Sequence, residues 1–272
     1  MASKHRFKAF YHAMIDEYRG KKTTFILYVS LRAVVIAIAA MMVVSKNYEG
    51  AFLCLLTLIL FLLPAFVQTK FNVTLPTTLE VIVLVFIFAA EILGELADYY
   101  VRFPIWDTML HVTTGFLAAA MGLSLIDLLN RSDRFKFELS PFFVALVSFC
   151  FSMTIGVLWE FFEFSADVIF ATDMQKDVIL HHISSVALNP CGKNDPVLIK
   201  DITETAVNGV SLGVGGYLDV GLYDTMKDLM VNFVGACVFS VFGYFYSKYH
   251  GKGKAASVVK GLKMNKKSKK GD

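Results

Sequence analysis

Charge is in short supply in this chain. Asp, Glu, Lys and Arg make up 18% of its 272 residues and hydrophobic residues 56%, against about 25% and 45–50% in soluble domains, which excludes an ordinary water-soluble fold. Cysteine is sparse as well: Cys54, Cys150, Cys191 and Cys237 stand apart without CxxC spacing, so neither a disulfide framework nor a zinc ribbon is in view. Glycines occupy positions 209, 213, 215, 216 and 221, yet GxxxxGK[ST], GxGxxG and HExxH are all missing. That removes P-loop, dinucleotide-binding and zincin chemistry, and no Ser-His-Asp arrangement with a nucleophile elbow replaces it. No cleavable signal is expected either, because more than twenty polar or amphipathic residues precede the first apolar run and no small-residue cleavage site follows it.

What the chain has in quantity is long apolar runs, with a mean hydropathy of +0.58. Runs of about 20 residues suffice to cross a hydrocarbon core of about 30 Å. The sequence predicts an all-α polytopic membrane protein with six transmembrane helices, at about 24–44, 51–67, 78–98, 105–129, 141–170 and 223–246. Basic residues set the orientation. They gather in segment 1–23 (Lys4, Arg6, Lys8, Arg19, Lys21, Lys22), in the 130–140 loop (Arg131, Arg134, Lys136) and in the lysine-rich tail 247–272. With six spans all three fall on the cytoplasmic side, as do both termini. The segment 172–222 then faces outward, where Asp173, Asp177, Asp195, Asp201, Glu204 and Asp219 outnumber Lys176, Lys193 and Lys200. The tail lacks apolar periodicity and is expected to be disordered and drawn to anionic headgroups, at about 1 kcal/mol per basic residue. Membrane lipids, and not nucleic acid, are the expected partners.

Against this background nine acids need a cause: Glu91, Glu95, Asp98, Asp107, Glu160, Glu163, Asp167, Asp224 and Asp228. A carboxylate in hydrocarbon costs about 2.5–3.5 kcal/mol on insertion scales, and acids there mark ion paths, proton relays or active sites. Spans three and five end outward and carry their acids late; spans four and six begin outward and carry theirs early. All four groups therefore reach one outer depth. Spacings of three, four and seven also place each group on one helix face: Glu91, Glu95 and Asp98; Asp107 and His111; Glu160, Glu163 and Asp167; Asp224, Asp228 and, a turn deeper, Asn232.

The groups repeat. Glu-x6-Asp followed by Trp106-Asp107-Thr108-Met109-Leu110-His111 is matched by Glu-x6-Asp followed by Tyr223-Asp224-Thr225-Met226-Lys227-Asp228. Both hairpins run the same way, so helices three to six are expected to form a pseudo-symmetric four-helix bundle, a parallel repeat of helical hairpins. On Asp107, His111 and Gly115, on Trp159, Glu160 and Glu163, and on Asp224, Thr225 and Asp228, the chain resembles the YjdF-like family of predicted bacterial inner-membrane proteins. The resemblance covers about Glu91 to Tyr246. It implies the bacterial cytoplasmic membrane and the importance of these residues, and it brings no assigned activity.

Carboxylates with one imidazole are a ligand set for Mg, Mn, Fe or Zn, built here from Glu91, Glu95, Asp107, His111, Glu160, Glu163, Asp224 and Asp228. The Glu-x-x-His of familiar bundle-core metal sites is absent. One expected function is an outward-facing binding or metal-dependent catalytic site for a lipid or envelope substrate, with Glu163 as general base beside Glu160 and His111. A cation or small-solute transporter is the second expectation, and a structural polar core without catalysis the third. Arg32 either snorkels or pairs with an acid of the cluster. His181 and His182 are expected in solvent, and Trp159 as packing beside Glu160.

Overall fold

The computed structural model describes residues 22–130 and 139–266. The charges of residues 1–21, Arg131, Arg134, Lys136 and residues 267–272 lie outside the described residues. Among the described residues five helices are long and apolar enough to cross a membrane: Phe25–Val44, Tyr48–Lys70, Trp106–Asn130, Pro141–Phe170 and Leu222–Lys248. The protein is a polytopic helical membrane protein.

Helix α1 (Lys22–Val44) turns at Lys46, with a left-handed φ of 61°, into α2 (Tyr48–Leu60), whose first turn is capped by Asn47 accepting from Gly50 N at 2.9 Å. The second apolar run bends where Pro64 has no N–H to offer: α2 ends, and α3 (Leu63–Lys70) starts with that proline in its first turn. After the short strand β1 (Val73–Thr74), the expected third span departs from a plain α-helix. Helix α4 (Thr77–Ile87) passes into a π-helical stretch, Phe88–Leu96, closed by Ala97 N donating to Ile92 O at 3.0 Å. Widened turns of this kind recur at functional sites, and this one carries Glu91 and Glu95. A single turn, α5 (Tyr99–Arg102), leads to α6 (Trp106–Asn130), α7 (Pro141–Phe170), α8 (Leu222–Lys248) and α9 (Lys254–Leu262).

Two compact units partition the chain, one formed by residues up to 153 together with those from 232 onward, the other by 154–231. The first unit has two apolar clusters. Tyr28, Val35, Cys54, Phe61 and Leu84 centre one; Leu117, Ala119, Ala120, Leu123, Val144, Phe239 and Val259 centre the other. Small residues bring α6 and α8 into backbone contact: a Cβ on Gly115 would stand 2.1 Å from Asn232 O, and one on Gly235 2.1 Å from Val112 O. Gly243 meets Leu123 further along, so the two helices run parallel. Helix α7 passes antiparallel to α6, with Ser152 Oγ donating to Gly115 O at 2.7 Å and Gly122 against Ser148.

The tail corrects the expectation of disorder. Helix α9 buries Ala256, Val259 and Leu262, and strand β8 (Asn265–Lys266) pairs antiparallel with β1 in the register Val73↔Lys266 and Thr74↔Asn265. Between them Lys263 is buried, its Nζ 2.9 Å from Asp127 Oδ2 and 3.2 Å from the Tyr246 hydroxyl, while Met264 N donates to Ser124 Oγ at 3.0 Å. Three apolar residues three apart, hidden among lysines, are enough to dock one face of a short helix.

In the second unit the segment between α7 and α8 is built of antiparallel pairs: β2 (Val178–Leu180) with β7 (Tyr217–Asp219), β3 (Ile183–Ser185) with β4 (Val197–Ile199), and β5 (Ala206–Val207) with β6 (Val210–Ser211). Asn208 and Gly209, both at positive φ, make the tight turn of the last pair.

Candidate metal centre

Helix α6 enters the site through its first turn. Pro104 precedes it, and the Trp106 indole fixes its start by donating to Ala89 O of the π-helical stretch at 3.3 Å. One turn separates Asp107 from His111, whose Nε2 lies 3.4 Å from Asp107 Oδ1; the His111 side chain is 12% exposed. Asp98 belongs elsewhere, on the surface with Arg102 at 2.8 Å.

Helix α7 contributes Glu160 and Glu163, both buried on the stripe that also holds Ser148 and Ser152. Trp159 donates its indole N–H to Glu163 Oε1 at 2.8 Å, which makes it a positioning group as well as packing. Asp167, further out, holds the chain that leaves the helix: its carboxylate accepts from Thr172 Oγ1 at 2.7 Å, Met174 N at 2.7 Å and Gln175 N at 2.9 Å.

Helix α8 carries the second stripe. Asp224, Asp228 and Asn232 are all buried, one turn apart. Asp224 Oδ2 accepts from Lys176 N at 2.8 Å and Asp224 Oδ1 lies 3.0 Å from Lys227 Nζ, which is also 3.6 Å from Asp228 Oδ1. Asn232 Nδ2 faces the Met153 sulfur at 3.6 Å, and its Oδ1 has no hydrogen-bond partner among the described residues.

Asp107, His111 and Asp228 each present a ligand atom within 4.8 Å of the others, and His111, Glu160 and Glu163 do the same. His111 is common to both groups. This donor set of buried imidazole and carboxylates suits a divalent metal ion. Glu91, Glu95 and Asp224 are not in these groups: the first two sit in the π-helical stretch, and the third is engaged by Lys176 and Lys227. Arg32 donates to Leu58 O at 3.2 Å and lies over the Tyr28 ring, 4.5 Å from its centre. His181 Nδ1 is 3.0 Å from Ile202 O in the segment between α7 and α8, and His181 is in neither metal group. Sequence reasoning missed Glu80, 1% exposed and accepting from Gln68 Nε2 at 2.7 Å. An acid in the first turn of a span passes for an interfacial residue; only the proximity of Gln68 in the preceding span hinted otherwise.

Fold and site together define a multi-pass membrane protein with a buried His/Asp/Glu cluster fit for a metal. The chain belongs to the DUF2238 family of predicted membrane proteins, whose family model matches residues 26–249. No curated protein and no solved structure matches it.

Proposed function

We propose that the protein binds a divalent cation through His111 with Asp107, Asp228, Glu160 and Glu163, at a site open to the outer face of the bacterial cytoplasmic membrane, and acts there on a lipid or envelope substrate. Two groups that share His111, one with Asp107 and Asp228 and one with Glu160 and Glu163, carry this reading: within each, the ligand atoms lie within 4.8 Å of one another. Carboxylates gathered in an apolar setting are stabilised by a counter-charge, and nitrogen with carboxylate oxygen suits Mn, Fe or Zn, with Mg at the harder end. Thr77–Leu96, α-helical and then π-helical, serves in this reading as the third of six spans. The reciprocal contacts of Gly115 and Gly235 favour two parallel hairpins, and the motifs shared with YjdF-like proteins fall on the same helices.

The acids lying in the first turns of α6 and α8, with Lys248 at the far end of α8, support the outward direction. One helical turn inward from His111, Gly115 and Gly235 bring α6 and α8 to backbone contact, and Ala118, Ala119 and Ala120 below are almost wholly buried. An ion would find no gap between those two helices, which favours chemistry on one side over transport.

A divalent cation would supply Lewis acidity and lower the pKa of water at the site. Glu163, its Oε1 held by Trp159, is the general base that receives a proton. Glu160, His111, Asp107 and Asp228 would hold the cation throughout, Glu163 would add to that hold until it takes the proton, and the segment 172–222 covers the substrate.

Chelator-stripped protein titrated with Mn2+ tests the reading. Wild type should bind, and His111→Ala or Asp228→Asn should weaken binding by about tenfold or more, in line with the loss of one ligand. No binding, or unchanged affinity in both variants, overturns it. Metal-driven uptake into liposomes by wild type would replace the catalytic reading with transport.

A further inference from the structure

The acid cluster holds a cation of its own. Lys227 Nζ lies 3.0 Å from Asp224 Oδ1 and 3.6 Å from Asp228 Oδ1, and its side chain is 42% exposed where those of the two acids are 6% and 2% exposed. The ammonium thus reaches from the rim onto a carboxylate that also belongs to a metal group. Asp224 is a fixed anchor for it, because the other oxygen of that carboxylate accepts the Lys176 backbone N–H at 2.8 Å. Lys176 in turn follows directly on the strap of Met174 and Gln175 that Asp167 holds. If Lys227 lets go of Asp228, it keeps Asp224.

The sequence repeat sharpens the point. Leu110 precedes His111 where Lys227 precedes Asp228. The half-site ending in a nitrogen ligand has no lysine at that position, and the one ending in a carboxylate does.

We infer that Lys227 is a tethered competitor that sets the ion selectivity of the site, keeping monovalent cations off Asp228 and giving way to a divalent one. This rests on the metal reading above. A tethered group acts at an effective concentration on the order of millimolar or higher. Sodium or potassium brings the same single charge as the ammonium and must shed water to displace it. A divalent ion doubles the attraction to each carboxylate and gains the His111 nitrogen, a ligand that suits transition metals and zinc and does little for alkali ions. Lys227 is therefore a positioning and selectivity residue, with no contact to substrate assigned.

The experiment is Mn2+ titration of wild type, Lys227→Met, Lys227→Gln and Lys227→Arg, in sodium chloride and in N-methylglucamine chloride at equal ionic strength. In the large organic cation, Lys227→Met and Lys227→Gln should bind Mn2+ about tenfold tighter than wild type, the effect of removing one charge at partly screened range. Sodium should then compete in both variants and have no specific effect on wild type or Lys227→Arg. Mn2+ binding in Lys227→Met and Lys227→Gln that is no tighter than in wild type overturns the inference, because a lysine that merely props Asp224 and Asp228 would weaken binding when lost. Sodium competition of equal strength in wild type overturns it too. Absence of Mn2+ binding in all four proteins sinks the metal reading itself, and this inference falls with it.

Discussion

Glu163 takes its orientation from a residue one helical turn behind it. The Trp159 indole occupies one carboxylate oxygen at 2.8 Å, and hydrogen bonds to charged groups contribute about 1.5–3 kcal/mol. Trp159→Phe keeps most of the ring and loses the donor. Mn2+ affinity should fall by about three- to tenfold, at the lower end because Trp159 is 44% exposed, while thermal stability stays near wild type; an unchanged affinity would detach Trp159 from the site. Acidification should weaken Mn2+ binding as well, since protons compete for every ligand, and the titration should release protons to the buffer. Much at this scale was legible in the sequence. The 160/163 and 224/228/232 stripes follow from helical spacing, and the structure buries all five residues. The hold of Asp167 and Asp224 on residues 174–176 was not legible, because it runs through backbone N–H groups, and backbone amides leave no trace in residue type.

Among the elements, the α6/α8 crossing bears most directly on the site. With the other helix's carbonyl oxygens 2.1 Å from where a Cβ would be, Gly115→Ala or Gly235→Ala must push the helices apart. Overpacking of this kind costs about 1–3 kcal/mol. Each variant should lower the thermal midpoint of the detergent-solubilised protein and weaken Mn2+ binding; full retention of both would show that the helices separate without consequence. Four of the six expected spans match observed helices closely, because long apolar runs have one solution in lipid. The second is bent at Pro64, and the third is the least legible: hydrophobic pattern does not distinguish an α-helical turn from the wider π turn of Phe88–Leu96. The Asp-Thr-Met repeat pairs Gly115 with Asn232, and Asn232 is the residue whose carbonyl oxygen a Cβ on Gly115 would meet.

For the molecule as a whole, orientation has a direct probe in Cys191, exposed in the segment between α7 and α8, while Cys54 is buried and Cys150 and Cys237 lie within helices long enough to span. A membrane-impermeant maleimide should label wild type in spheroplasts and fail to label Cys191→Ser. Labelling confined to inverted vesicles would reverse the proposed topology. At the other end, Lys263 is nearly buried and Asp127 is 30% exposed. Asp127→Asn should cost up to about 3 kcal/mol, below the range for fully buried pairs, and should make the tail cleavable by protease; a tail that stays resistant would show that the apolar face of α9 is enough. The docking of that tail escaped the sequence because the ion pair joins residues far apart in the chain.

That separation also puts the clamp on a clock. Thr74 bonds to Asn265, 191 residues later, and chains grow at about 5–20 residues per second, so β1 waits about 10–40 s for its partner to be made. During that interval the start of α4 and the end of α6 lack the strand pairing and the Lys263 contact that later join them, and they are open to quality-control proteases. Closing β1 onto β8 therefore waits until every residue between them has been made.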